Sequence, residues 1–333
     1  MGPNFDLRWV YDNQVLSLLP RPLNFDLKKP SLNYFRFNFK AMGTPCEIQL
    51  FARSRQSAQQ AANIVIADVQ RLERLYSRYR SDSFLSEINR TAARAGSISV
   101  DDETAGLLNY AQTCYEQSDG LFDISSGILR KAWRFDRNIL PDEGQIRALL
   151  EKIGWHKIGW QQPKLSFSVF GMELDFGGIV KEYAVDRAAG LCLQAGIEHG
   201  LINLGGDIKI VGPRPDGSPW QIGIAHPRRK GEVMQSLGLV SGALASSGDY
   251  ERCLEIGGVR YGHVLNPKTG WPVRFLASVS VVGDFCVVSG SASTIAMLKE
   301  EQGPAWLETL GLPYLWVDVN GNAGGPLMEN SSM

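Results

Sequence analysis

Three side chains stand where a ligand's charge or a transferred proton would need them: Lys181, His263 and Thr294. Lys181 follows Gly177-Gly178 and opens a helical pattern, so unpaired N–H groups, the positive end of a helix dipole and an ammonium converge on one spot. Such a spot suits an anion. His263 lies in the loop HVLNPKTG, and a histidine has the basicity to take a proton near neutral pH. Thr294 offers a hydroxyl oxygen in the first turns of a helix expected to begin near Ser291. Other polar or glycine-rich turns accompany them: Met42-Gly43-Thr44, Tyr79, Gly120 to Asp123, Asp175, Gly206-Asp207 and Ser247-Gly248. No Ser/His/Asp spacing, zinc-ligand pattern or Walker lysine motif is present. Singly, each residue also has a structural use: packing glycines beside a solvated Lys181, a loop histidine bonded to backbone, a threonine bonding back along its helix.

The elements that must hold these residues are legible as patterns. From Val180 the apolar positions Val180, Ala184, Ala188, Leu191 and Ala195 share one helical face, and Gly196 stops the helix. Leu174 to Phe176 reads as a strand ahead of it, and Leu201 to Val211 as a strand pair broken at Gly205-Gly206-Asp207. The stretch is therefore expected to form a βαβ-type strand, helix and strand unit at the centre of the fold. Cys46, Ile48 and Leu50 alternate as a strand, and Ser57 to Tyr79 forms a long amphipathic helix. Its Arg71, Arg74, Arg78 and Arg80 suit the negative end of the dipole on a solvated face. Further helices follow Asp101-Asp102 and span Glu143 to Ile153; Leu165 to Val169, Trp220 to Ile224 and Val279 to Val282 read as strands. A hairpin turns at Gly257-Gly258, and a helix from Pro304 to Gly311 precedes a last strand.

With 333 residues the chain can bury a substantial core, and 34 Lys+Arg against 35 Asp+Glu leave no basic field for nucleic acid. A small-molecule ligand fits better. The five cysteines, Cys46, Cys114, Cys192, Cys253 and Cys286, lack metal spacing and read as reduced core thiols. No membrane segment is expected, and the charged N-terminus places the chain in the cytoplasm as given, or in the periplasm if a signal was removed. The organisation expected is an extension over residues 1–36, one domain over 37–322 and a flexible tail over 323–333.

Taken in order, AMGTPCEIQL, YSRYRSDSFLSEIN, SDGLFDIS, LDFGGIVKEYAVDRA, INLGGDI, ASSGDYER, HVLNPKTG and SVSVV…STIA resemble the ApbE family of FAD:protein FMN transferases across roughly residues 37 to 320. The resemblance implies an α+β fold, with mixed sheets flanked by helices around the central unit. It also implies binding of FAD, use of Mg²⁺ at the pyrophosphate, and transfer of FMN to a Thr or Ser of a flavin-acceptor target protein with release of AMP. Carried over by position, Met42, Tyr79, Gly120, Leu121, Phe122, Asp175, Lys181, His263 and Leu265 are expected at FAD. The Gly178 carbonyl and Thr294 hydroxyl are expected at the metal, and His263 is expected to take the proton of the attacking hydroxyl.

Three departures stand out. Gly290 replaces an expected metal-binding aspartate four residues before Thr294, Glu182 replaces a glycine after Lys181, and Asn266 replaces an aspartate before Pro267. Losing a carboxylate weakens a Mg²⁺ site. Two classes therefore remain open: an active transferase in which Asp249, Asp284 or a target carboxylate completes the site, and a non-catalytic FAD-binding homologue. FAD pyrophosphatase activity, which needs the same metal, is a third. On this reading Gly290→Asp should restore the metal site, and Lys181→Ala should weaken FAD binding with little effect on the melting temperature.

Overall fold

Phe35, Phe37 and Phe39 alternate with the exposed Arg36, Asn38 and Lys40, so the chain enters the fold as a strand with one apolar face. The computed structural model describes residues 31–137 and 139–329. Most of the expected N-terminal extension, with Pro20, Pro22 and Pro30, and the chain from 330 onward lie outside them. The first strand, β1 (Asn33–Ala41), already begins within the expected extension, and it pairs with β2 (Thr44–Ala52). Met42 and Gly43 both take positive φ, 53° and 74°, and make the two-residue turn between them.

The helices that follow are α1 (Arg55–Tyr76), α2 (Phe84–Ala92), α3 (Asp102–Gln117) and α4 (Glu143–Leu150). Each begins at a Ser or Asp whose side chain accepts a backbone N–H three residues on. A small sheet of β3 (Ser97–Ser99), β4 (Ile158–Gln161) and β5 (Lys164–Phe167) lies beside them in the order β3-β5-β4. The central helix is α5 (Val180–Gln194), ended by Gly196 at φ 77° as expected. The stretch ahead of it, Leu174 to Phe176, is not a strand; it runs without strand pairing, tied instead through the Asp175 N–H to the Ile124 carbonyl at 2.8 Å. The βαβ expectation fails there because these apolar residues fill the core beneath α1 and α2 and do not join the sheet.

β6 (His199–Leu204) and β7 (Asp207–Gly212) form the expected pair around Gly205-Gly206. Then come β8 (Trp220–Ala225), β9 (Val233–Leu239), β10 (Ala243–Gly248), the hairpin β11 (Cys253–Ile256) and β12 (Val259–Gly262), and β13 (Leu276–Gly283). Helices α6 (Cys286–Leu298) and α7 (Gly303–Leu310), strands β14 (Tyr314–Asp318) and β15 (Ala323–Gly324), and a last turn α8 (Pro326–Glu329) complete the chain. Residues 323–329, expected to be loose, add an edge strand and bury Leu327. The main sheet has eight strands in the order β1-β2-β6-β7-β10-β13-β14-β15, and every pairing among them is antiparallel. Helices α1, α3, α5 and α6 cover one face through the principal core, while the β8–β9 hairpin covers the other through Trp220, Ile222 and Ile224. The fold is α+β.

Helix α6 starts five residues before the expected Ser291, because its cap comes from another helix. Its sequence, CVVSGSASTIAML, has neither an acid in the first turn nor a capping side chain at Phe285. The Asp186 carboxylate of α5 accepts the N–H groups of Cys286 and Val287 at 2.8 and 2.9 Å. Asp186 is buried, and loss of water pushes its carboxyl up to about 6. Asp186→Ala strands two buried N–H groups, and each unmet donor costs roughly 1–3 kcal/mol. Urea unfolding should show a midpoint lowered by a matching amount with an unchanged slope.

Candidate functional site

Helix α5 differs from the four capped helices before it in having no side-chain cap at its N-terminus, Ile179. The residues expected to carry chemistry gather around that open end. Lys181, in its first turn, reaches across to the buried Asp207 of β7 and forms an ion pair with it, while its Nζ lies 3.6 Å from Glu182 Oε1. Asp207 Oδ1 also accepts the Ser246 N–H at 3.2 Å. Lys181 is thus neither a solvated surface charge nor a free one: the Glu182 and Asp207 charges hold its ammonium well above the usual lysine range, against the opposing effect of burial.

Before α5, the Asp175 carboxylate accepts the Gly177 N–H at 2.9 Å and pairs with Arg78. Gly127 lies so close to Asp175 that an added Cβ would come within 2.3 Å of the Asp175 Cβ, so only glycine admits this approach. Arg78 lies beyond the end of α1, not on its last turn, and its guanidinium sits 5.1 Å from the centre of the Tyr79 ring. It also donates to the Tyr79 hydroxyl at 3.0 Å, as Arg252 does at 3.4 Å. Some loss of water around the phenol opposes the shift, but those two guanidiniums hold it below its ordinary value. The Tyr79 ring itself is 74 % exposed, an aromatic surface held ready at the mouth of the site.

Two further turns close on the same place. Arg252 Nη2 would lie 3.8 Å from a Cβ at Gly43, which brings the β1–β2 turn to the loop of Tyr79. In that turn Met42 holds a backbone that non-glycine residues rarely adopt, with its N–H donated to Glu73 Oε1 at 2.7 Å. On the other side the loop Gly120-Leu121-Phe122 is fixed by the Phe122 N–H donating to Ser118 Oγ at 2.7 Å and by Lys299 pairing with Asp119 at 2.8 Å. The Phe122 ring lies 3.2 Å from where a Cβ at Gly178 would be.

His263 is exposed, yet the protein atoms crowding it displace enough water to push its imidazole below the ordinary histidine value, with Arg252 and Lys181 adding to the effect and Glu251 opposing it. Its loop is closed by the Leu265–Pro272 bridge and by Asn266, whose Oδ1 accepts the Lys268 N–H at 2.9 Å. The turn needs an acceptor there, not a charge, so asparagine serves where aspartate was expected. Leu265 packs with the Trp133 cluster.

Thr294 Oγ1 is 2.9 Å from Ser247 Oγ, itself 2.8 Å from Ser293 Oγ. Neither carboxylate expected to complete a metal site reaches it. Asp249 is buried in a two-armed pair with Arg228 at 2.5 and 2.7 Å, and Asp284 is exposed before the start of α6, with its carbonyl bonded to Lys209. Among the described residues no group of three His, Cys, Asp or Glu side chains is placed to hold a metal ion. Gly290 is not at a helix start but inside α6, and a Cβ there would lie 2.5 Å from Glu182 Cγ. Burial pushes the Glu182 carboxyl up to about 7; Lys181 pulls against this and Asp207 adds to it. The expected remedy of Gly290→Asp therefore meets an occupied space.

Sequence reasoning passed over Glu182 as a simple departure, and over Arg252 and Asp186 entirely. An acid in a first helical turn is ordinary, which masks Glu182; its one signal is the four-residue spacing to Asp186, which puts both on one face.

A model of the ApbE family matches residues 42–316. The FAD:protein FMN transferase of Vibrio cholerae is 29 % identical over 249 residues, 72 % of this chain and 74 % of that protein. The FAD:protein FMN transferase of Rhodobacter capsulatus is 28 % identical over 285 residues, 82 % of this chain but 53 % of that longer protein. The crystal structure of the ApbE protein of Thermotoga maritima superposes with a TM-score of 0.80 at 29 % identity, covering 90 % of this chain and 98 % of its own. No described helix is long and apolar enough to cross a membrane.

Two outcomes follow from the geometry. Lys181→Ala leaves Asp207 and Glu182 without their cation, which for a buried pair costs about 3–5 kcal/mol; a clear fall in melting temperature is expected, contrary to the sequence-based expectation. Gly290→Asp alone should destabilise by roughly 1–3 kcal/mol through overpacking against Glu182, measurable by thermal unfolding.

Proposed function

The chain belongs to the ApbE family, and from that premise we propose that it is an FAD:protein FMN transferase, moving FMN from FAD to a Thr or Ser hydroxyl of an acceptor protein and releasing AMP. The observation that carries this reading is the convergence of Lys181, Arg78, Arg252, Tyr79 and the Gly120 loop on the uncapped end of α5. Cations beside the positive end of the helix dipole suit a pyrophosphate, and the exposed Tyr79 ring suits a flat heterocycle.

In the transfer the acceptor oxygen bonds to the phosphorus on the FMN side, and the bond from that phosphorus to the bridging oxygen breaks. That oxygen leaves with AMP. The acceptor's proton passes to His263, whose depressed basicity keeps the ring neutral and able to accept at neutral pH. Asp175 orients the approach by holding Arg78 and the Gly177 N–H. Lys181 supplies positive charge toward the phosphates. The Gly178 carbonyl and Thr294 hydroxyl are the oxygens this reading assigns to Mg²⁺, which when bound offsets phosphate charge as it builds on the leaving group.

Incubation with FAD, Mg²⁺ and a Thr-containing acceptor peptide should yield AMP and FMN-peptide in equal amounts. AMP with free FMN would mark a pyrophosphatase, and FAD binding without either product a binding protein. His263→Gln should keep FAD affinity and slow transfer by about 10²–10⁴-fold. Because the neutral imidazole is the active form, kcat/KM of the unmodified protein should hold steady down to neutral pH and fall on acidification with a midpoint below the ordinary histidine value. A midpoint at or above that value would remove His263 from the role.

A further inference from the structure

Glu182 Oε2 is buried without a hydrogen-bond partner, the single such side-chain oxygen or nitrogen among the described residues, in a residue only 8 % exposed. Its other oxygen faces Lys181 at 3.6 Å, but the Lys181 ammonium is already paired with Asp207. Two buried carboxylates thus share one ammonium, and one carboxylate oxygen is left buried with nothing to bind. An arrangement so unfavourable on its own is what a bound cation would relieve.

The packing of α5 on α6 says where that cation would sit. Glu182 lies against Gly290, and Asp186, one turn later in α5, caps Cys286 and Val287, one turn earlier in α6. The two helices therefore run antiparallel, and Thr294, one turn beyond Gly290, lies toward the Gly177-Gly178 end of α5. The Glu182 side chain fills the volume that a side chain at 290 would take.

We infer that Glu182 is the carboxylate ligand of a divalent-cation site completed by the Gly178 carbonyl and the Thr294 hydroxyl, its carboxylate delivered from α5 into the space left open by Gly290 on α6. The identity of those two partner oxygens rests on the transferase reading. One carboxylate with neutral oxygens and water suits Mg²⁺, which keeps much of its hydration and needs no cluster of three acids. The chain has then moved a ligand, not lost one.

The test is Mn²⁺ titrated into the FAD-free protein, followed by the electron paramagnetic resonance signal of the free ion, with FAD binding measured separately by flavin fluorescence. Glu182→Gln, nearly isosteric, should weaken Mn²⁺ binding about tenfold or more. It should leave the metal-free melting temperature unchanged or raised, since it relieves the competition of two buried carboxylates for one ammonium. Glu182→Gly combined with Gly290→Asp returns a carboxylate to the same volume from the opposite helix and should recover most of the affinity. If Glu182 only fills space, Glu182→Gln leaves Mn²⁺ affinity unchanged, and the inference is overturned. A folded double variant that binds no better than Glu182→Gln also overturns it. Unmodified protein that binds FAD but not Mn²⁺ overturns this inference and leaves FAD binding standing; protein that binds neither sinks both.

Discussion

The antiparallel contact of α5 with α6 is the constraint on which the site depends. Helix α6 is buried nearly all round and carries no acid of its own in its first turn, so its first N–H groups rely on Asp186 of α5. Once begun, it presents Gly290 to Glu182, whose side chain takes the space a side chain at 290 would fill, while on its other side Ser293 and Thr294 each bond to Ser247 of β10. A larger residue at 290 would push α6 off α5 and carry Thr294 with it. The N-terminal end of α5, at Ile179, carries no capping side chain.

Charge is divided between the two ends of α5. Toward its middle and C-terminal side, Arg187 pairs with Asp68 of α1, Arg71 links Asp68 to Glu103 of α3, and Tyr183 donates to Glu103 at 3.1 Å. Every charge in that network has a partner of opposite sign, so it can fasten three helices without needing a ligand. At the N-terminal end the pairing is incomplete: Lys181 and Asp207 match, Glu182 does not. Arg78 and Lys181 each hold a carboxylate of the protein, so any anion binding there would have to share or displace Asp175 and Asp207. That exchange keeps the cations from attracting every small anion in solution.

Much of this was legible beforehand. Periodicity gave α5 nearly to the residue, and Gly196, Gly205-Gly206 and Gly311 stopped elements where positive φ was required. The turns expected to gather at a ligand do border one region, although Leu265 belongs to the Trp133 cluster next to it. What failed shares one cause: the information was non-local. Leu174 to Phe176 has strand-like apolarity, but its apolar side chains are spent in the core beneath α1 and α2. The start of α6 was invisible because its cap is an aspartate in another helix. The four arginines near the end of α1 looked alike in sequence, yet Arg71 serves the helix network and Arg78 serves Asp175. At Gly290 the sequence shows an absent side chain but not what fills its space, because Glu182 lies far from it in the chain.

Asp186 and the N–H group it caps on Cys286 are separated by 100 positions. At synthesis rates of about 5–20 residues per second, a ribosome takes roughly 5–20 s to make the chain between them. Throughout that interval α5 can form on α1, but its acidic face has nothing to meet. A carboxylate facing water is well solvated, so the waiting helix has no reason to bury that face early. The arrival of α6 then converts two solvated acids into a cap and a wedge in one step. The contact of α5 with α6 is thus completed only after the whole intervening stretch of chain has been made.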